Sequence, residues 1–169
     1  RPPALAGPPD GRLAGRPVVL SDGFGRTARK LRVSVTDRCD LRCVYCMPER
    51  PVGLPRAEIL DYEELARLCA VAVGRGVRQV RVTGGEPLVR RDVHRFVAML
   101  KALPGLEEVA LTTNGTRLVA QASALKDAGL DRVTVSLDSL DDAVFRAMND
   151  VDLGVERVLA GIASAERAG

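Results

Sequence analysis

Residues 31–46 read L-R-V-S-V-T-D-R-C-D-L-R-C-V-Y-C. The first five residues alternate apolar and polar side chains, which is typical of a β-strand. Three of the four cysteines of the chain, Cys39, Cys43 and Cys46, then follow within eight residues. This stretch therefore predicts a strand that ends in a loop of thiols, and it guides the interpretation of the rest of the chain.

Three further strand patterns follow, each separated from the next by a helical pattern. Their sequences are Q-V-R-V-T, E-V-A-L-T-T and R-V-T-V-S-L. Strands that alternate with helices predict an α/β fold with a parallel sheet and right-handed crossovers. Ligands bind at the carboxyl ends of such strands. Polar or glycine-rich loops fall at these ends each time, at residues 39–46, 84–86, 112–115 and 136–138.

The composition is that of a globular domain with one core. Of 169 residues, 46% are hydrophobic and 28% charged, and the net charge is +3. The small charge and the 3% aromatic content argue against nucleic-acid binding. With no apolar run long enough for a membrane span and no signal peptide, we expect a cytoplasmic location without membrane insertion. In the reducing cytoplasm, clustered cysteines more often bind metal or carry out redox chemistry than form disulfides.

Proline and glycine divide the chain into two regions. Residues 1–28 are rich in both and lack periodicity, which predicts a flexible N-terminal arm. Residues 29–169 hold the strand and helix patterns. The chain stops just after a helical pattern, where another strand should begin, and four units rarely close a barrel. We therefore expect residues 29–169 to be the N-terminal part of a partial barrel from a longer protein.

The spacing C-x3-C-x2-C has three interpretations. One helical face could bury all three thiols, but the segment is short, rich in Arg and Asp, and runs into Pro48. A structural zinc site needs four ligands, and only Cys69 and His94 remain, both on predicted helices. An iron–sulfur cluster suits closely spaced thiolates. We favour a four-iron cluster, in which three cysteines leave one iron open to a ligand.

The cysteine spacing resembles that of the radical S-adenosylmethionine (SAM) enzymes, with Tyr45 before the last cysteine and Gly84-Gly85-Glu86 one unit later. This resemblance implies a partial (β/α) barrel of the radical SAM type and two cofactors, a [4Fe–4S] cluster and SAM. The open iron would bind SAM, and one electron from the cluster would cleave SAM to a 5′-deoxyadenosyl radical. Glycine at residues 84–85 would let the backbone approach the amino group of SAM closely.

Longer stretches resemble the GTP 3′,8-cyclases of molybdenum cofactor biosynthesis, from about residue 22 to the end of the chain. They are residues 31–48, 81–92, 111–115, 135–138 and 146–152. Asp40 departs from that family, in which Asn is commoner. The resemblance implies that the cluster binds Cys39, Cys43 and Cys46, that SAM contacts Tyr45, Gly85 and Ser136, and that GTP contacts Arg32, Arg81 and Thr112. Guanidinium groups suit the phosphates of such a substrate.

The implied reaction converts GTP to 3′,8-cyclo-7,8-dihydro-GTP. The radical would abstract the 3′ hydrogen of GTP, and the ribose radical would attack C8 of guanine. The cofactor does this chemistry, so we expect no protein acid or base. The implied partners are GTP and an electron donor, and the full-length protein could form a homodimer. The family's second, C-terminal three-cysteine cluster is missing here, so we expect this chain to be inactive alone.

Two alternatives stay open at this stage. The first is another radical SAM enzyme, a maturase of peptides or haem precursors, although the T-D-R-C and R-R-D details favour the cyclase. The second is a non-catalytic iron–sulfur or zinc module. Three cysteines count against this module, because protein usually ligates every iron of an electron-transfer cluster.

Overall fold

In the computed structural model, which describes residues 19–46 and 53–169, four β-strands alternate with α-helices. The strands are β1 (Lys30–Ser34), β2 (Gln79–Thr83), β3 (Glu108–Thr113) and β4 (Arg132–Val135). The helices are α1 (Tyr62–Gly74), α2 (Val93–Lys101), α3 (Leu118–Asp127), α4 (Asp142–Asn149) and α5 (Val155–Ala168). None of these helices is long and apolar enough to cross a bilayer, a finding that covers the described residues.

The four strands form one parallel sheet in the order β1-β2-β3-β4. Each strand pairs with the next along the chain, so every crossover moves in the same direction across the sheet. This is the winding of a barrel wall, unlike the reversed order of a doubly wound sheet. The predicted α/β fold with a parallel sheet is confirmed, and a partial barrel is consistent with it.

The two faces of the sheet differ in polarity because side chains alternate along each strand. Val80 and Val82 on β2, and Val109 and Leu111 on β3, are at most 1% exposed. They belong to one apolar cluster with residues of α1, α2 and α3, which include Phe96 at 0% exposure. The opposite face carries polar side chains, which are described with the site below. The core therefore lies between the sheet and its helices.

Helix α1 begins as its sequence predicts. Asp61 Oδ1 accepts a hydrogen bond from Glu64 N–H (2.7 Å), and Glu64 Oε2 accepts one from Asp61 N–H (2.9 Å), which completes a capping box. The buried face of the helix includes Cys69, which is 1% exposed. Burial raises the pKa of this thiol to about 11. The fourth cysteine is thus a core residue, as predicted.

One further predicted boundary differs in the structure, and another is not tested by it. Strand β4 ends at Val135, two residues before the end of the alternating pattern, although Ser136 N–H still donates to Thr113 O (2.9 Å). Of the predicted arm, residues 1–18 lie outside the described residues, as does Pro48. Residues 19–28 contain a bridge between Ser21 and Thr27. The division of the chain at residue 28 stays a prediction.

Candidate functional site

The three clustered cysteines lie in residues 36–46, here named the cysteine loop, which follows β1 at the carboxyl edge of the sheet. Cys39 and Cys43 are half-buried, Cys46 is exposed, and none forms a disulfide. Cys46 N–H donates to Cys43 O (2.9 Å), which closes a turn between these two residues. Within residues 19–46 and 53–169, no three His, Cys, Asp or Glu side chains are grouped to hold a single metal ion.

Two glycines after β2 let the backbone of the cysteine loop pass close by. Gly85 N–H donates to Thr36 O (2.7 Å), and Glu86 N–H donates to Arg38 O (2.8 Å). A Cβ on Gly85 would lie 2.4 Å from Arg38 O, and a Cβ on Gly84 would lie 2.7 Å from Thr36 O. Side chains do not tolerate such distances to backbone atoms. The cysteine loop itself thus makes a close approach that requires glycine, whatever ligand binds nearby.

Glu86 is a buried carboxylate that joins the loop after β2 to the loop after β3. Its side chain accepts hydrogen bonds from Leu88 N–H (2.9 Å), the Thr113 hydroxyl (2.8 Å) and Asn114 N–H (2.7 Å). Burial raises the pKa of Glu86, and the three donors oppose that rise. The glutamate is therefore a structural tie at the site, a role that the sequence motif did not reveal.

Asp40 joins the cysteine loop to the loop after β3. Its carboxylate accepts hydrogen bonds from Asn114 Nδ2 (2.9 Å), the Thr116 hydroxyl (2.9 Å) and Arg117 Nε (2.8 Å). Burial raises the pKa of Asp40, but these three donors lower it below its ordinary value overall. The aspartate thus forms an ion pair with Arg117 that an asparagine at residue 40 would lack.

Tyr45 connects the cysteine loop to the end of β4. Its hydroxyl donates to Asp138 Oδ2 (2.8 Å), and this hydrogen bond raises the pKa of Tyr45. The residue as a whole remains exposed, at 62%. Asp138 therefore fixes the direction of a tyrosine whose ring is still free to contact a ligand.

The C-terminal end of α4 forms a further support of the cysteine loop. Arg42 N–H donates to Asn149 O (2.9 Å), and Val44 N–H donates to Met148 O (3.0 Å). Between them, Cys43 Sγ donates to Asn149 Oδ1 (3.3 Å). Together with the contacts above, this ties the cysteine loop to the loops after β2, β3 and β4 and to a helix end.

The polar face of the sheet bears two arginines beside this loop. Arg32 and Arg81 are opposite each other in the β1–β2 register, and Thr112 and Thr134 are opposite each other in the β3–β4 register. Arg81 Nη1 donates to the hydroxyls of Thr112 (3.0 Å) and Thr134 (3.2 Å). Ser136, two residues after Thr134, is exposed just beyond the strand. The face therefore presents cationic and hydroxyl groups together.

Burial raises the pKa of the Cys39 and Cys43 thiols above their ordinary value. Protonated thiols are poor metal ligands, because it is the thiolate that binds a metal. Metal binding at these two residues would therefore release protons.

The predicted site residues fall into two neighbouring groups, and their ligand assignments stay predictions. Cys39, Cys43, Cys46 and Tyr45 lie in the cysteine loop and Gly85 against it, whereas Arg32, Arg81, Thr112 and Ser136 follow the polar alternation of the sheet. Thr134 was not predicted as a site residue, although the alternating pattern places its side chain on the same face of the strand as that of Ser136. Asn149 was not predicted either, and no local pattern links it to Cys43.

A family comparison covers the chain from the end of β1 onward. The family model described as the radical SAM superfamily matches residues 33–169. The chain belongs to the radical SAM superfamily. This membership confirms the predicted cofactor class, a [4Fe–4S] cluster with SAM.

Curated relatives confirm the predicted resemblance to GTP 3′,8-cyclases. The chain is 52% identical over 155 residues to the GTP 3′,8-cyclase of Acidothermus cellulolyticus. The match covers 89% of this chain and 43% of that protein. The enzyme of the same name from Erythrobacter litoralis is 54% identical, with 89% and 46% covered. That of Heliobacterium modesticaldum is 54% identical, with 83% and 45% covered. The chain thus spans less than half the length of these relatives.

Solved structures confirm the fold. Streptococcus suis SuiB bound to precursor peptide SuiA has a TM-score of 0.67 at 20% identity. The match covers 84% of this chain and 31% of the SuiB chain. Methylornithine synthase (PylB) has a TM-score of 0.63 at 18% identity, with 86% and 44% covered. SuiB bound to S-adenosylmethionine has a TM-score of 0.59 at 22% identity, with 83% and 31% covered.

The residues of the site fit the cofactors of the family. Three thiols lie in one loop, and the fourth cysteine is buried in the core, so this part of the chain supplies three sulfur ligands. A four-iron cluster held by three thiolates keeps one iron open for another ligand. The donor set thus suits a cluster that binds SAM better than one that only transfers electrons.

Proposed function

We propose that this chain is the cluster- and SAM-binding part of a GTP 3′,8-cyclase, which converts GTP to 3′,8-cyclo-7,8-dihydro-GTP in molybdenum cofactor biosynthesis. The observation that carries the proposal is a loop of three thiols beside an arginine-bearing sheet face. Relatives of that name, 52–54% identical, support it. Because the chain spans less than half their length, turnover is proposed for the whole protein, with an electron donor and a cytoplasmic location.

In this proposal Cys39, Cys43 and Cys46 hold the cluster. When bound, the cluster and SAM supply the 5′-deoxyadenosyl radical that begins the cyclisation. Gly85, Tyr45 and Ser136 surround SAM. The hydrogen bond from Tyr45 to Asp138 supports this role, because it orients the exposed ring before a ligand arrives and so reduces the entropy lost on binding.

Arg32, Arg81 and Thr112 are the proposed contacts of GTP. Arg81 supports this role because Thr112 and Thr134 engage only its Nη1, and its Nε and Nη2 have no hydrogen-bond partner among the described residues. A guanidinium held on one side can offer its other donors to a phosphate in a fixed direction. Arg32 is exposed in the adjacent register position and adds a second positive charge.

Anaerobic reconstitution with iron and sulfide tests the cluster assignment. We expect about four irons per chain and an EPR signal of the reduced cluster that changes when SAM is added. Cys43→Ser should lose the cluster, whereas Cys69→Ala, which changes the core thiol, should keep it. A cluster signal that SAM does not change, or zinc bound in place of iron, would contradict the proposal.

Nucleotide binding tests the polar face. Arg81→Gln should weaken GTP binding to the reconstituted protein about tenfold or more, because a charge-assisted hydrogen bond contributes roughly 1.5–3 kcal/mol. Arg91→Gln is the matched control, since the Arg91 side chain is 92% exposed and lies outside the polar face. Equal affinities of the two variants in an equilibrium titration would exclude the proposed contact.

A further inference from the structure

Asn149, the last residue of α4, has a buried amide that is only half satisfied. The residue is 1% exposed, and its Oδ1 accepts the hydrogen bond from Cys43 Sγ (3.3 Å). Its Nδ2 is buried and has no hydrogen-bond partner among the described residues. A buried donor without an acceptor is costly and rare in folded proteins, so this one requires an explanation.

The backbone holds this amide against the thiol. Asn149 O and Met148 O accept hydrogen bonds from Arg42 N–H and Val44 N–H, the residues on either side of Cys43. The helix ends there, with Asp150 in the left-handed conformation at a φ of 51°. Because both neighbours of Cys43 are bonded to the helix end, Asn149 cannot separate from the sulfur without breaking these two bonds.

The chemistry of sulfur offers a partner for the unpaired donor. A thiol can donate its hydrogen to Oδ1, but a sulfur that ligates iron carries no hydrogen and can only accept. An amide facing such a sulfur must therefore present N–H. Half a turn of the side-chain amide exchanges its oxygen and nitrogen, which occupy nearly the same space. The exchanged Nδ2 would take the position now 3.3 Å from Cys43 Sγ.

We infer that Asn149 is a positioning residue that donates an N–H···S hydrogen bond to Cys43 when this cysteine ligates the cluster. The inference rests on the proposed cluster site. Hydrogen bonds to ligand sulfurs raise the reduction potential of a cluster, because they stabilise the more negative, reduced form. Asn149 thus makes the cluster easier to reduce.

Asn114 provides a contrast within the same loop environment. Its Nδ2 lies 3.9 Å from Cys39 Sγ, but the same nitrogen already donates to Asp40 Oδ1 at 2.9 Å. The Asn114 amide has a partner whether or not a cluster is bound. Among the described residues, Asn149 Nδ2 is the only buried side-chain nitrogen or oxygen without a hydrogen-bond partner.

The test compares reconstituted chains by EPR-monitored redox titration. Asn149→Leu removes the donor with little change in size, Asn149→Asp replaces it with a carboxylate oxygen, and Met148→Leu alters the neighbouring side chain as a control. We expect equal iron content in all four proteins. At a fixed potential, the ratio of reduced to oxidised cluster should fall about tenfold in both Asn149 variants, equal to about 59 mV for one electron, and stay unchanged in Met148→Leu.

A second readout observes the hydrogen bond directly. Electron–nuclear double resonance on the reduced cluster should detect an exchangeable proton coupling that disappears in Asn149→Leu, or in Asn149→Asp if the leucine variant does not fold. Unchanged potentials, or a coupling that persists in the variant, would overturn the inference and leave the cluster proposal intact. A wild-type chain that binds no cluster would overturn both.

Discussion

Glu86 is the only charged residue with a buried side chain in residues 19–46 and 53–169. It directly follows the two glycines that pack against the cysteine loop, and its two oxygens receive three donors. Two of these donors, Leu88 N–H and Asn114 N–H, are backbone groups whose positions are fixed by the chain. A buried carboxylate is tolerated in a folded protein when hydrogen-bond donors of the protein replace the water that it loses on burial.

Glu86→Gln should destabilise the fold by about 1–3 kcal/mol. Whichever way the new amide is oriented, its NH2 group faces Leu88 N–H or Asn114 N–H, so one buried backbone donor loses its acceptor. Urea unfolding followed by circular dichroism measures the change. Glu63→Gln, on the exposed side of α1, is the control and should leave the midpoint almost unchanged. Equal midpoints for both variants would show that Glu86 is not a structural tie.

At the scale of the elements, local sequence patterns were sufficient to predict the helices. Contacts between residues far apart in the sequence could not be predicted in this way. The Asp61–Glu64 capping box and the buried face of α1 involve residues three or four apart, so their spacing in the sequence predicts them. The partners of Asp40 and Cys43 are 74 to 106 residues away, and no periodicity encodes them. The cysteines were recognisable from sequence, but the groups that hold their loop were not.

Helix α5 approaches the turn before α3 so closely that it requires glycine at one position. A Cβ on Gly161 would lie 2.4 Å from Gly115 O, a backbone atom. Gly161→Ala should therefore destabilise the fold by about 1–3 kcal/mol through overpacking. Gly74→Ala, at the end of α1 where a Cβ meets nothing within 4 Å, should be neutral or stabilise by up to about 1 kcal/mol. Thermal unfolding that ranks the two variants in the opposite order would contradict this packing.

Asp131 connects the ends of three elements and should make their docking pH-dependent. Its carboxylate accepts from Val109 N–H (2.7 Å) and Lys101 Nζ (2.9 Å). Although burial raises the pKa of Asp131, these donors lower it below its ordinary value overall. A lowered pKa in the folded state contributes stability above the unfolded value near about 4, and this contribution disappears as the pH falls further.

Asp131→Asn should consequently be less stable than the wild type at pH 7, with a difference that shrinks as the pH falls below about 4. Chemical unfolding at a series of pH values measures it. A difference that stays constant across the series would assign the effect to the amide geometry and not to the charge.

At the scale of the whole molecule, backbone amides should be best protected from hydrogen exchange in the middle of the sheet. Strands β2 and β3 each pair on both sides, whereas β1 and β4 are at the edges of the described sheet. Amide hydrogen exchange should therefore be slowest in β2 and β3 and faster in β4, which pairs with a strand on one side only among the described residues. Exchange in β4 as slow as in β3, together with a dimeric mass in solution, would mean that another copy covers this edge.

The cysteine loop comes early in the chain, but the groups that support it come late. Its partners include Glu86, Asn114 and Asp138, and the last, Asn149, is 106 residues beyond Cys43. Contacts of such separation form only after the intervening strands and helices have come together. During synthesis, the thiols leave the ribosome well before their supports exist. We therefore expect a cluster to assemble in the supported loop only after α4 has been completed.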